Sequence, residues 1–440
     1  MPFIKFASDY GFSPSNDGAL NHSILQKLLD DGGEIVIDKP GTYEIKGTLD
    51  ICSDTTLSFV SGTYVKRIPD EKGNEPFIIN KGAYTRTYDS NIQIKGLKLI
   101  CNGVNVDGNV ITGINGEISF FYTKHTLISD FQCFDVPNST FCIQICTFED
   151  SVIENVHIEG LKDAVHYGPG KRFILRNGVF RTFDDPIALN SQDYTRANPQ
   201  LGWIEDGLIE YCYDLNQDET TGYFCRLLAG AWCDWSEGMI IRNSDTVVSN
   251  GRLYRANTGY DGKEHISLTK PEFEKGTEIL DDIKWVMVQD DNCIYNSGCR
   301  NITFKDIHLE KNRPSAFCFH FDNDIHSHSH YPYAKSPVQT NITFENIYIT
   351  SNVKFFIYAT TPCGLIKIKN ANFKNTAMRF SHRGVEGIQY NPVDLFISDT
   401  DFSGECKIQA VEGRMVRLHE NSNYVEVGSS LSLEGNVVKI

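Results

Sequence analysis

Residues 162–190 read KDAVHYGPGKRFILRNGVFRTFDDPIALN. The stretch holds one lone carboxylate, Asp163, and one adjacent pair, Asp184 and Asp185. The separation 184 − 163 = 21 residues is close to one turn of a parallel β-helix with three short strands per coil. Residues one turn apart in such a coil stack on each other, which predicts Asp163 at one strand spacing, ~4.8 Å, from the pair. Three carboxylates on one patch repel, so at least one is expected to keep a proton near neutral pH. A protonated carboxyl beside an ionised one is what hydrolysis of a glycosidic bond uses.

A lone Asp in a coil turn is usually structural, capping backbone donors. The adjacent pair is harder to explain that way. Neighbouring strand residues point to opposite faces, so Asp184 and Asp185 share a site only at a corner or bulge. Pro186, which removes a ladder donor, fits such a corner.

Outward from this stretch a unit recurs: an apolar alternation, an Asn, Asp or Gly, then another short strand. Instances are IQIKGLKL, HTLISDFQC, SVIENVHIEG, FILRNGVFR, NITFKDIHLE, NITFENIYIT and LIKIKNANFK, with turn residues Gly96, Asp130, Asn155, Asn177, Asp306, Asn346 and Asn370. The gaps 155 − 130 = 25, 177 − 155 = 22 and 370 − 346 = 24 are coil-sized, and periods of this length indicate a solenoid. The leucine frame of leucine-rich repeats is missing. Asn at a tight corner tolerates left-handed dihedrals and bonds along the stack. The reading is an all-β chain: a right-handed parallel β-helix with an N-terminal helical cap and a small inserted β domain.

Residues 1–70 form the cap and first coils. ALNHSILQKLL, residues 19–29, has apolar residues at helical spacing, and Gly32-Gly33 ends it. The strand EIVID and the turn PGTY follow. Such a cap covers the apolar core and strand edges that a bare coil end would expose. Residues 71–230 carry the coils with the acids, and 291–440 continue the helix and close it. The gap 306 − 177 = 129 leaves room for one more coil and an insertion, residues 231–290. Three of the chain's four tryptophans lie there: Trp232, Trp235 and Trp285. Asn250-Gly251 between β-branched and aromatic runs reads as a hairpin. The rings either stack on sugars or form the core of a small module with little else to bury.

A formal charge of −16, from 41 Lys and Arg against 57 Asp and Glu, argues against nucleic acid and anionic membrane surfaces as partners. No run of about 18 apolar residues suggests a membrane span, and MPFIKFASDYG at the start shows no secretory pattern. Thirteen scattered cysteines without metal spacing suggest reduced thiols and a cytoplasmic setting; a periplasmic or secreted protein follows if a signal was trimmed. His326, His328 and His330 alternate, as three zinc ligands on one strand face would, but Tyr331-Pro332-Tyr333 and the polar flanks indicate a loop, so no metal is expected.

The stretch around the acids resembles the signature of family 28 glycoside hydrolases, the polygalacturonase family, and their pectin-lyase-like relatives. That family shows Asn-Thr-Asp-Gly and then, about one coil later, Gly-Asp-Asp before an apolar run. Lys162-Asp163-Ala164-Val165 and Phe183-Asp184-Asp185-Pro186-Ile187-Ala188-Leu189 stand in those places. The cap, with its helix, Gly-Gly turn, strand and Pro-Gly-Thr-Tyr, is similar to that of pectin-lyase-like β-helices. The insertion is similar, over a short stretch, to chitin-binding modules. The resemblance implies Asp184 as general acid and Asp163 and Asp185 as activators of the attacking water, with inversion. The family's Gly-His-Gly segment corresponds to Gly222-Tyr223-Phe224-Cys225-Arg226, without His. Its Arg-Ile-Lys segment, which holds a uronate carboxylate, corresponds to Phe317-Cys318-Phe319-His320-Phe321, without a cation. These departures imply a kept hydrolytic core and a lost galacturonate contact, with Arg226 as substitute cation.

The expected activity is therefore hydrolysis of a carbohydrate substrate, with no cofactor. Asp163, Asp184 and Asp185 are the catalytic candidates, and Tyr167, His166, Arg226, Trp203 and His320 the cleft walls. Two alternatives stay open. One is a polysaccharide lyase on the same fold, for which Lys162, Lys171 and Arg181 are nearby bases. The other is a non-catalytic tailspike- or adhesin-like glycan binder.

Overall fold

The computed structural model describes residues 4–440 apart from 72, 108–109, 218–219, 260, 291–292, 322, 325–326 and 383–385. Its body is a right-handed parallel β-helix. Each coil bends sharply where single residues take the left-handed backbone. Phe141–Gly160, for example, runs as strand throughout and turns at Thr147, Asp150 and Asn155, whose φ angles are 52°, 57° and 55°. The following coil, Val165–Tyr167 and Gly170–Thr182, lies on it in parallel, with Ile143 opposite Val165 and Phe148 opposite Gly170.

The corner residues legible in the sequence do stack. Asp130, Asn155, Asn177, Asp306, Asn346 and Asn370 all have φ between 52° and 56°. Amides link them along the axis: Asn155 to Asp130 at 3.2 Å, Asn177 to Asn155 at 2.9 Å, Asn346 to Asp306 and Asn370 to Asn346 at 2.7 Å each. Only short polar side chains and glycine adopt this backbone at low cost. Here they also satisfy each other, which no apolar residue would do. Tyr211 occupies the corner between Asn177 and Asp306, with φ 53°, and interrupts the ladder.

Alternate residues point inward and form one apolar column from Ala7 to Leu418. Like residues stack on like: Phe304 and Phe344 lie face to face at 5.3 Å. Gly18–Asp30, α1, closes the N-terminal end. Asp17 caps it by accepting the Leu20 N–H at 2.8 Å, and Leu25, Leu28 and Leu29 are buried beneath it. At ~1.5–3 kcal/mol for each large apolar side chain removed from water, these three hold the helix in place.

Between Cys225–Leu228 and Cys299–Leu309 the chain leaves the coil. Cys233–Asp234, Thr246–Ser249, Arg252–Ala256, Ile283–Gln289 and Thr277–Leu280 form a separate sheet in that order, and Asn250 and Gly251 make its hairpin with φ 50° and 75°. Trp285 is in this sheet's own core with Ile241, Val247 and Tyr254. Trp232 joins the sheet to the coils through Leu201, Leu253 and Val288. The tryptophans thus hold the module together. Trp232 and Trp285 are buried and offer no face to a sugar; Trp235 is half-buried, with Nε1 bonded to Ser267 Oγ at 2.8 Å.

Candidate active site

Apolar parity sets the register at the acids. Val165 and Tyr167 face the core and stack under Ile187 and Leu189, so the coil repeat here is 187 − 165 = 22 residues. Asp163 therefore lies level with Asp185 and not with Asp184, and Lys162 lies level with Asp184. The Ala164 N–H donates to the Asp185 carbonyl at 3.1 Å. The pair sits at the corner before Ile187, as Pro186 suggested, so both side chains reach one patch. One oxygen from each of Asp163, Asp184 and Asp185 lies within 4.8 Å of the other two.

The next coil braces this corner. Gly222 packs against it so closely that a Cβ would stand 2.5 Å from the Asp184 carbonyl carbon and 2.6 Å from the Asp185 nitrogen. Any larger residue would push the acids apart. The Tyr223 N–H donates to Asp185 Oδ1 at 2.7 Å. Arg313 is buried against Asp214, at 2.6 and 3.0 Å, and also donates to the Asp184 carbonyl at 3.2 Å. Lys311 donates to the Thr182 carbonyl.

The three acids differ in surroundings. Asp163 and Asp185 are buried; the Asp184 side chain is 24% exposed. Burial opposes the charge on Asp163. The Lys162 ammonium at 3.8 Å, the His166 Nδ1 contact at 3.1 Å and the Arg226 charge outweigh it and hold Asp163 down at about 2. Burial and the neighbouring Asp184 charge push Asp185 up to about 7, although Arg226 Nε stands 3.2 Å from its Oδ2. Lys162 bonds Asp184 directly. Burial disfavours its ammonium, but Asp163 and Asp184 more than compensate, so its pKa is raised and it stays charged.

A fourth carboxylate completes the cluster. Asp193, fully buried, lies on residues 191–202, which fold back over the outer face of the coils. It stands 3.2 Å from Arg226 and 4.0 Å from His166 Nε2, and Asn190 donates to it. His166 thus contacts Asp163 through Nδ1 at 3.1 Å, with its ring stacked on the Phe141 ring at 4.0 Å. Arg255, buried at the end of the inserted hairpin, holds the loop down by donating to the Asp193 carbonyl at 2.8 Å and to the Asn198 carbonyl. Lys162 and Arg226 supply the positive charge that a bound cation would otherwise bring to the three converging acids.

The structure brings Asp163, Asp184, Asp185, His166 and Arg226 together. Two of the expected cleft walls belong elsewhere. Tyr167 has even parity with Val165, so it points into the core, against Phe173 at 4.6 Å, and cannot wall a cleft. Trp203 stands at the other end of that strand, beyond Gly168 and Pro169, where its carbonyl accepts from Gly170 N–H at 3.0 Å. His320 is buried with its ring edge-on to Tyr223 at 5.9 Å, and so reaches the acids through Tyr223. Of the three alternating histidines, His326 lies outside the described residues. His328 pairs with Asp245 in the insertion. His330 bonds Ser336 Oγ at 2.8 Å, and burial pulls it down to about 4. The two face different partners.

No protein-family model matches the chain, and no curated protein matches it in sequence. Solved structures do resemble it in fold. The exopolygalacturonase of Thermotoga maritima is 12% identical with a TM-score of 0.51, covering 99% of this chain and 91% of that one. The surface protein and adhesin PfbA of Streptococcus pneumoniae is 12% identical with a TM-score of 0.53, covering 100% of both chains. The polygalacturonase of Erwinia carotovora is 11% identical with a TM-score of 0.50, covering 97% of this chain and 94% of that one.

Proposed function

We propose that the chain is a glycoside hydrolase that cleaves a poly- or oligosaccharide by acid–base catalysis at Asp163, Asp184 and Asp185. The observation that carries this reading is the convergence of three carboxyls at one corner, one oxygen of each within 4.8 Å of the other two, and their unlike surroundings support it. Asp163 is held down at about 2 and Asp185 is pushed up to about 7. At neutral pH the cluster then holds an ionised carboxylate and a proton within 4.8 Å of each other, and environments that split two acids in this way assign the acid and the base.

Asp184 is the exposed member, so it is the one that can touch a glycosidic oxygen. Asp184 and Asp185 act as a coupled acid, the proton resting on Asp185 and reaching the leaving oxygen through Asp184. Asp163, kept ionised by Lys162 and His166, is the base for the attacking water. Arg226 tethers Asp185 and Asp193, and fixes the geometry. The polygalacturonase-like signature implies inversion, which standard sites achieve with carboxyls ~6.5–9.5 Å apart, against ~5–5.5 Å for retention. Proton NMR of the first-formed anomer distinguishes the outcomes.

A lyase needs a neutral base beside the sugar ring. Lys162, the cluster's own amine, is held charged by two acids, which disfavours that route. The binding-only reading draws on the adhesin similarity and on the deep burial of Asp163 and Asp185.

The test is a panel of neutral and uronate-containing glycans, followed for new reducing ends and, in parallel, for the ultraviolet absorbance of unsaturated products. The proposal expects reducing ends without unsaturated product. Unsaturated product would replace it with the lyase; binding without turnover would replace it with the adhesin-like reading.

A further inference from the structure

Trp203, displaced from the acids, is a wall of a different feature. Two cavities of about 390 and 520 Å³ adjoin on the flank where the insertion meets the coils. They share Trp203 and Ile294. The first is bordered by Tyr88 and the second by Tyr295 and Tyr333. Tyr88 and Tyr295 are each 43% exposed and Tyr333 is 73% exposed. A folded chain usually covers rings of this size, because each exposed face forfeits burial; several along one surface mark a binding site.

The polar lining narrows the ligand. Lys171 lies 3.8 Å from Glu149, and Arg300 is bonded to Glu205 and lies over Trp203 at 4.8 Å. Tyr295 donates its hydroxyl to Asp234 at 2.8 Å. The charges are matched in pairs along the wall, which gives a polyanion no net attraction. Aromatic faces suit the apolar C–H faces of pyranose rings. The paired ions, Lys171 with Glu149 and Arg300 with Glu205, can exchange bonds with hydroxyls.

We propose that Tyr88, Trp203, Tyr295 and Tyr333 form a binding track for a neutral oligosaccharide, separate from the carboxylate cluster and independent of turnover. The two cavities, joined at Trp203 and Ile294, suit an extended chain better than a single sugar.

The experiment is titration calorimetry, with saturation-transfer NMR, of short neutral gluco-, xylo-, manno- and galacto-oligosaccharides and of tetragalacturonate. The proteins are wild type, Asp185→Asn, Tyr333→Ala, Tyr333→Phe and Trp203→Ala. At least one neutral oligosaccharide is expected to bind wild type and Asp185→Asn alike, so loss of catalysis and loss of the track are read separately. Removing a ring should weaken binding roughly two- to tenfold. Tyr333→Phe, which loses the hydroxyl bond to Glu386 but keeps the ring, should bind as wild type. Because Tyr333 is the most exposed of the four, its variants keep the test sound if Trp203→Ala misfolds. The track is refuted by any one of three results: no neutral oligosaccharide binds, binding is unchanged in Tyr333→Ala, or tetragalacturonate is preferred.

Discussion

A carboxyl that keeps its proton to about pH 7 and one that gives it up near pH 2 make opposite demands on the fold. Asp185 has its folded value raised above the unfolded one. The folded state then binds more protons than the unfolded state between pH ~4 and ~7, and stability falls as pH rises through that window. Asp163 is depressed; its contribution is present above pH ~4 and is lost as pH falls toward 2. In Asp185→Asn the first penalty disappears. Its melting temperature, measured against wild type from pH 4 to pH 8, should gain steadily with pH; a constant difference would show that Asp185 ionises normally. Parity explains what the sequence showed of this site. The acids and their one-coil spacing were legible, but the count from Asp163 to Asp184 suggested the wrong stack. The apolar phase of Val165 and Tyr167 against Ile187 and Leu189 sets the true one, and it sends Tyr167 inward. Asp193 carried no local signal, since only the return of residues 191–202 over the coils brings it to His166 and Arg226.

At the scale of elements, the corners and the insertion make separate predictions. Asn346 holds φ 56° and bonds two neighbours along the axis. Asn346→Val should cost about 1–2 kcal/mol for the backbone alone, plus the lost bonds, and Asn346→Gly distinctly less; denaturant titration measures both. Equal costs would mean that the ladder, not the left-handed backbone, dominates. These corners were readable because the backbone there admits few residue types. The inserted sheet is stabilised from within, and Trp285→Ala should cost it about 3–5 kcal/mol. Arg255 links that sheet to the site loop. Arg255→Met leaves the buried Asp193 and Asn198 carbonyls without their donor, a penalty of about 1–3 kcal/mol. Hydrogen exchange should then quicken over residues 193–198 while Phe141–Gly160 stays protected. The hairpin was legible from Asn250-Gly251, whereas the reach of Arg255 across to residues 191–202 was not, since it joins segments distant in sequence.

The whole molecule is a quasi-one-dimensional stack, in which each coil leans only on its neighbours. Its thirteen cysteines are all unpaired, and ten of them are buried; Cys52, Cys233 and Cys293 are partly open. A thiol reagent added to the folded protein should titrate about these three and reach the rest only after denaturant, as expected for buried thiols that act as small apolar residues. Fast reaction of most thiols would mean that the column opens readily. Hydrolysis, as proposed, rests on three acids at one corner. The most direct test is the turnover rate, on the most rapidly cleaved glycan, of Asp163→Asn, Asp184→Asn and Asp185→Asn beside wild type, with circular dichroism as the check on folding. Each variant should fold and lose roughly 10²–10⁴-fold or more in rate, the scale of a lost general acid or base. Folded variants that cleave as fast as wild type would contradict the assignment and leave the cluster a structural corner.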